Sequence, residues 1–158
     1  MRVGYGYDIH RLRPGRHLIL GGVELQHPTG LDGHSDADVL LHAVIDALLG
    51  ASGLGDIGGH FPDAEPKWRG ASSLDLLART NKLIRTAGYS VVNVDATVVA
   101  EAPRIAPTVP EMRARISDVL GIDTSLVNIK ATTAEGSGPE GRGEAISARA
   151  VALLQLAG

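Results

Sequence analysis

The sequence has no cysteine among its 158 residues. That excludes a disulfide framework, a thiolate metal centre and a cysteine nucleophile. Aromatic residues are scarce too: one Trp, one Phe and three Tyr leave few platforms for stacking bases. There is no excess of positive charge. With 15 Lys and Arg against 18 Asp and Glu, the formal net charge is -3. This argues against an electrostatic binder of nucleic acid or of an anionic membrane surface. No run approaches the roughly 20 apolar residues of a membrane span, and Met1-Arg2-Val3-Gly4-Tyr5 has no signal-peptide apolar core. The expectation is a soluble, cytoplasmic globular protein with one domain over residues 1–158, a length at which about 68–70% of the unfolded surface is buried.

Two residue types stand out. Glycine is abundant, at 20 residues, which suggests turns and backbone that approaches a ligand closely. All six histidines (10, 17, 27, 34, 42 and 60) fall in the first 60 positions. Along the chain, Val3 to Arg11 reads as a strand, and His17 to Gln26 as a second extended stretch broken at Gly21-Gly22. Pro28 to Gly33 reads as a loop. Val39, Leu40, Val44 and Leu48 then recur at helical spacing, with Ser35 as N-cap, Asp38 completing an acidic capping box, and a stop near Gly50–Gly53. Residues 53–71 have no period and form a long loop. Beyond it, Ser72 to Thr86 and Pro107 to Leu120 read as helices, and Tyr89 to Val99 and Leu126 to Ala131 as strands. Thr132 to Gly143 is a loop and Glu144 to Leu156 a closing helix. This alternation predicts an α/β chain with a single sheet covered by helices.

Three places could carry chemistry. In Asp8-Ile9-His10, residues two apart on a strand share a face, so Asp8 and His10 project together while Ile9 enters the core. A carboxylate and an imidazole suit a borderline metal such as zinc, and equally a surface hydrogen-bonded pair. Asp38, His42 and Asp46 lie four apart and form one polar stripe on an otherwise aliphatic helix, which faces either solvent or a site. His42 could join Asp8 and His10, with Asp46 or Asp38 holding its other ring nitrogen. Three protein ligands leave tetrahedral zinc one open position, the mark of a catalytic centre. Gly53-Leu54-Gly55-Asp56-Ile57-Gly58 and Gly136-Ser137-Gly138-Pro139-Glu140-Gly141 both fit G-x-G-x-x-G. The first follows a helix and the second has no later parallel strand, so neither is a dinucleotide fingerprint. Backbone amides at the start of the last helix, near Thr132, Thr133 and Arg142, would still suit phosphate oxygens.

Together, His34-Ser35-Asp36-Ala37-Asp38-Val39-Leu40-Leu41-His42, Gly55-Asp56-Ile57-Gly58 and Phe61-Pro62-Asp63 resemble the 2-C-methyl-D-erythritol 2,4-cyclodiphosphate synthase family. Asp8-Ile9-His10, Ala100 to Arg104, Lys130 to Glu135 and Gly141 to Glu144 match it as well, so the resemblance spans essentially the whole chain. It implies an α/β (α+β) two-layer sandwich with a single mixed sheet, assembled as a homotrimer with the sheets facing the three-fold axis. It implies a phosphorus-oxygen lyase of the non-mevalonate isoprenoid route, acting on 4-diphosphocytidyl-2-C-methyl-D-erythritol 2-phosphate at sites between subunits. By position, Asp8, His10 and His42 resemble zinc ligands, and Glu135 the contact of a second divalent ion, Mg2+ or Mn2+. His34 and Thr133 resemble transition-state stabilisers. Asp56, Ile57, Gly58, Phe61, Pro62, Asp63, Ala64 and Glu65 resemble the methylerythritol pocket. Ala100, Glu101, Ala102, Pro103, Arg104, Ile105 and Ala106 with Thr132 and Thr133 resemble a cytidine and phosphate pocket from the adjacent subunit. Asp8, His10, Ser35, Ala134, Glu135 and Arg142 are expected to touch substrate too. Pro139 and Gly136 depart from the family, which often has Phe and a basic residue there.

Overall fold

The computed structural model describes residues 1–158. Its first strand, β1 (Arg2–Pro14), is followed by the hairpin β2 (Leu18–Leu20) and β3 (Val23–Leu25), turning at Gly21-Gly22 as the sequence predicts. The stretch read as a loop, Pro28 to Gly33, instead holds a short strand, β4 (Thr29–Leu31), paired antiparallel with the end of β1. Helices α1 (Val39–Ser52) and α3 (Ser73–Thr86) flank the long segment 53–71. That segment is not wholly irregular, because it contains the single-turn helix α2 (Ile57–His60) and a 3-10 turn at Pro66–Trp68. Strand β5 (Tyr89–Val99), helix α4 (Val109–Leu120), strand β6 (Val127–Thr132) and the one-turn helix α5 (Gly138–Gly141) follow.

The largest departure from the sequence reading is the C-terminus. Glu144 to Leu156 does not close the fold as a helix; Ala145–Leu156 is β7, at the centre of the five-stranded sheet β4-β1-β7-β5-β6. Its alanines favour a helix by intrinsic propensity. Ile146, Ala148, Ala150, Ala152 and Leu154, however, recur at a period of two, and all five are buried. Pairing with β1 on one side and β5 on the other satisfies both edges of the strand, and that tertiary gain overrides propensity. The β5–β6 pair is parallel and the other pairs of this sheet are antiparallel, so the sheet is mixed.

Alternation along β1 sets up the site. Gly4, Gly6, Asp8 and His10 face the helical layer, while Val3, Tyr5, Tyr7 and Ile9 are exposed on the opposite face. Ile9 therefore does not enter the core, contrary to the sequence expectation; the core lies on the Asp8 and His10 side. At Gly4 and Gly6 the backbone touches α1, not a ligand. A Cβ at Gly6 would stand 1.9 Å from the Ala43 carbonyl oxygen, and one at Gly4 1.9 Å from that of Ala47. This close approach brings His42, one residue before Ala43, over Asp8.

Helix α1 is buried nearly all round, since it packs on β1 and β7 below and on α3 beside. All of its residues but His42, Asp46 and Gly50 are buried. Its N-cap is Asp38, not Ser35. The Asp38 carboxylate accepts from the backbone N–H of Leu41 (3.0 Å), Gly21 (3.0 Å) and Gly22 (2.7 Å), so one side chain caps the helix and anchors the β2–β3 turn. Gly53 closes the helix in the left-handed conformation (φ 75°). No helix is long and apolar enough to cross a membrane.

Candidate active site

Asp8 and His10 come from β1 and His42 from the first turns of α1, and the three converge at one point. Asp8 Oδ2 lies 2.9 Å from His10 Nε2 and 2.9 Å from His42 Nδ1, and the two ring nitrogens stand 3.3 Å apart. Zinc holds nitrogen ligands at about 2.0–2.1 Å in tetrahedral sites, which puts neighbouring ligand atoms about 3.3 Å apart. The donor set therefore has the size of one face of a zinc tetrahedron.

Hydrogen bonding on the outer side of each ring fixes what the inner nitrogens can do. His10 Nδ1 lies 2.8 Å from the Asp32 carbonyl, which can only accept, so that nitrogen carries the proton. His42 Nε2 lies 3.1 Å from the hydroxyls of both Ser35 and Ser73. The Ser73 hydroxyl donates its own proton to Asp36, so it can only accept from Nε2. These tautomers leave His10 Nε2, His42 Nδ1 and Asp8 Oδ2 as three acceptors facing one another with no donor among them. Such a cluster calls for a cation at its centre, and the chemistry of the set, one carboxylate and two imidazoles, fits a divalent metal. In the absence of a metal a proton takes part of that role. Burial alone would lower the His10 pKa, but the hydrogen bond and charge of Asp8 outweigh it and raise the value above 6.5. Burial would likewise raise Asp8, yet His10 and His42 hold it well below the usual carboxylate range.

The partners of His42 Nε2 are thus Ser35 and Ser73. Asp38 is engaged by backbone amides, and Asp46 Oδ1 accepts from Ile57 N–H at 2.8 Å, which steadies α2. Ser35 caps no helix; its hydroxyl accepts from Ala37 N–H and meets His42.

The triad opens into a cavity of about 370 Å3. His34, Ser35, Ile57, Gly58, Phe61, Pro62 and Asp63 line it, and so do Gly33, Asp46, Trp68 and Leu76. Asp56 sits beside them as the α2 cap, accepting from Gly59 N–H. The Phe61 and Trp68 rings meet edge to face at 5.1 Å and form an apolar wall. Trp68 and Leu76 carried no motif signal. Only the lone tryptophan inside an aperiodic loop could have drawn attention.

The second group lies apart from this cavity. None of Ala100 to Ala106 or Thr132 to Glu135 lines it. Thr133 Oγ1 donates to Glu135 at 3.0 Å, and the Glu101 carboxylate accepts from Ala134 N–H at 3.0 Å and Gly136 N–H at 3.5 Å. Glu101 thus ties the two loops together. The chain does not close on a helix, and the helical amides that follow the 132–135 loop belong to the four-residue α5. Arg142 pairs with Glu144 in an exposed groove beside Ile9, Arg11 and Pro139.

A mixed sheet with one helical layer, carrying an aspartate and two histidines in a cavity of small-molecule size, defines a two-layer α/β protein with a group that could hold a metal ion. Comparison with known proteins narrows this: the YgbB family model matches residues 1–155, and the chain belongs to that family. A protein of Symbiobacterium thermophilum named 2-C-methyl-D-erythritol 2,4-cyclodiphosphate synthase is 61% identical over 154 residues, covering 98% of each chain. A Syntrophomonas wolfei protein of the same name is 57% identical, covering 99% of this chain and all of its own. Among solved structures, a synthase of that name with CDP bound is 36% identical with a TM-score of 0.90, covering 98% of this chain and 100% of its own. A Plasmodium falciparum CDP complex is 35% identical with a TM-score of 0.87, covering 99% and 97%.

Proposed function

We propose that this chain converts 4-diphosphocytidyl-2-C-methyl-D-erythritol 2-phosphate into 2-C-methyl-D-erythritol 2,4-cyclodiphosphate and CMP, a step of non-mevalonate isoprenoid biosynthesis in the cytoplasm. The observation that carries the reading is the cluster of three acceptors at Asp8, His10 and His42, within full-length relatives named for this activity. An oxygen of the 2-phosphate forms a bond to the β-phosphorus. The bond from that phosphorus to the bridging oxygen breaks, and CMP leaves with the bridging oxygen and its electron pair. The nucleophile belongs to the substrate, which suits a chain without cysteine.

Two anionic groups must meet, so the barrier is electrostatic and positional. Asp8, His10 and His42 would hold Zn2+, and Glu135 would contact Mg2+ or Mn2+; such ions supply positive charge against diphosphate oxygens. The tautomers fixed by Asp32 and Ser73 keep the ligand lone pairs aimed inward. His34 and Thr133 hydrogen-bond the transferring phosphoryl oxygens. Asp56, Ile57, Gly58, Phe61, Pro62, Asp63, Ala64 and Glu65 receive the methylerythritol, and the Phe61–Trp68 wall excludes water from it. Residues 100–106 and 132–135 receive cytidine and its phosphates.

The family resemblance implies a homotrimer in which a neighbour supplies those loops, and their absence from the lining of the triad cavity of the same chain supports that reading. The uncovered sheet face supports this: Val3, Tyr5, Tyr7, Ile9 and Val151 are exposed there, an apolar surface suited to a partner. The test is a product assay with the cytidylyl substrate, Zn2+ and Mg2+, scoring CMP and cyclic diphosphate together. Equimolar CMP and cyclic product are expected. Orthophosphate without cyclic product would mean a metal-dependent hydrolase instead.

A further inference from the structure

The aromatic wall of the triad cavity is tied to the rest of the chain by few backbone bonds. Phe61 N–H donates to the Ile57 carbonyl at 2.8 Å, and Gly70 N–H to the His34 carbonyl at 2.8 Å. Between these ties the backbone bonds of residues 62–69 stay within the stretch 62–71. They run from Glu65 N–H to Pro62, Trp68 N–H to Glu65, Arg69 N–H to Pro66, and Ala71 N–H to Trp68. What fastens the middle of this segment to the body of the protein is therefore the Trp68 side chain.

The indole is not held by its polar atom, because Nε1–H is shut off from solvent and donates to nothing. Its hold comes from the ring. Phe61 meets it edge to face at 5.1 Å, the Lys67 ammonium stands 4.8 Å from a ring centroid, and the Arg79 guanidinium 5.3 Å. Both cations lie within the roughly 6 Å at which an aromatic face attracts positive charge, and indole is the strongest such face. Lys67 belongs to the same segment and pairs with Glu65, so it fastens that segment to nothing else. Arg79 belongs to α3 and forms no salt bridge, which leaves its planar guanidinium to the ring.

The position of Arg79 on its helix relates it to the site. Ser73, Leu76, Arg79 and Lys82 lie three apart and form one ridge along α3. Ser73 meets His42 Nε2 at 3.1 Å, and Leu76 lines the triad cavity. Arg79, one turn further on, does not line that cavity. It lies with Lys82 in an outer recess of about 360 Å3, which shares Phe61 and Trp68 with the triad cavity as a common wall. Arg79 thus grips from outside a ring whose other surroundings are the site.

We propose that Arg79 is a positioning residue: by its seat on Trp68 it holds the aromatic wall of the triad cavity in place, without touching what the cavity binds. The assignment rests on the proposed function and deepens it, since the wall faces the methylerythritol portion of the substrate. Arginine stays charged at every working pH, so the seat does not titrate away.

The test compares the zinc-loaded wild-type protein with R79M, R79K and K82M. Methionine keeps an unbranched apolar side chain and removes the charge, lysine keeps a cation, and K82M removes a charge from the same recess without touching the ring. Zinc content and thermal midpoint, measured first, establish that each variant is folded and loaded. Trp68 is the only tryptophan, so its fluorescence reports on the wall alone. In R79M acrylamide quenching should rise, and added substrate should return it to the wild-type level. KM should rise about 2- to 5-fold, because each substrate must restore the wall that the contact held for it. Turnover at saturation should stay within about twofold, as no group at the reacting atoms has been removed. R79K should recover part of both losses, and K82M should match wild type.

Wild-type quenching and KM in R79M would overturn the proposal. So would an R79K no better than R79M, since the cation would then not be what matters. Equal losses in K82M would assign the effect to the charge of the recess as a whole and overturn it too. Raised quenching with an unchanged KM would show that the wall does not serve the substrate. A wild-type protein that yields no cyclic product defeats the functional reading instead. The quenching comparison needs no turnover and still decides whether Arg79 holds Trp68.

Discussion

Replacing Gly6 by alanine tests whether the contact between β1 and α1 sets the geometry of the Asp8, His10 and His42 group. The new Cβ would lie 1.9 Å from the Ala43 carbonyl oxygen and 2.8 Å from Ala47 N, both backbone atoms of a helix buried almost all round. Ordinary contact begins near 3.4 Å, so strand and helix must separate by about 1.5 Å, the difference between 3.4 and 1.9 Å. Overpacking of this kind costs roughly 1–3 kcal/mol, and a clash with backbone belongs at the upper end. For a chain of this size about 3 kcal/mol corresponds to a fall in Tm of roughly 6–12 °C. The same separation draws His42 away from Asp8, now 2.9 Å apart, whereas metal–ligand distances tolerate only about 0.2 Å. Zinc affinity should fall by at least about 10-fold. Gly50→Ala is the control on the same helix: nothing lies within 4 Å of its Cβ, so it should gain about 0.5–1 kcal/mol and bind zinc normally. Calorimetry and zinc competition against a chelator measure both effects. A Gly6→Ala protein with the wild-type Tm and zinc affinity would refute the reasoning.

Other perturbations separate the site from its scaffold. His42→Ala removes one of three ligands and should weaken zinc at least about 100-fold with loss of turnover, measured by metal analysis and the product assay. Asp38→Ala leaves the amides of Gly21, Gly22 and Leu41 without an acceptor and should cost about 3–5 kcal/mol in urea unfolding. Asp38→Asn turns an amide nitrogen toward one of those donors and should cost about 1–3 kcal/mol. Zinc takes only the neutral imidazole, and metal-free His10 holds its proton above 6.5, so affinity should begin to fall above pH 6.5 and drop further on acidification. A chelator competition that stays flat from pH 8 to about pH 6 would contradict this. In the metal-free protein the same raised value contributes stability that is present below pH 6.5 and lost as pH rises through the folded pKa.

The sequence by itself determined the elements whose signal is local. Asp8 and His10 share a face because a strand alternates. The polar positions of α1 fall in one stripe because a helix repeats every 3.6 residues. Turn and stop glycines, the edges of β5 and the end of α4 were legible for the same reason. Tertiary structure decided everything that depends on what lies opposite. Residues 145–156 carry an alanine content that suits a helix and a period of two that suits a strand; only β1 and β5 on either side resolve the conflict. Ile9 and Asp8 alternate identically whichever face is buried, so the side bearing the core emerges only once α1 lies on Gly4 and Gly6. Ser73, Trp68 and Leu76 reach the site from elements 26 or more positions beyond His42, by packing that no local pattern encodes. Period and propensity are properties of neighbouring residues, whereas burial and pairing are properties of the assembled chain.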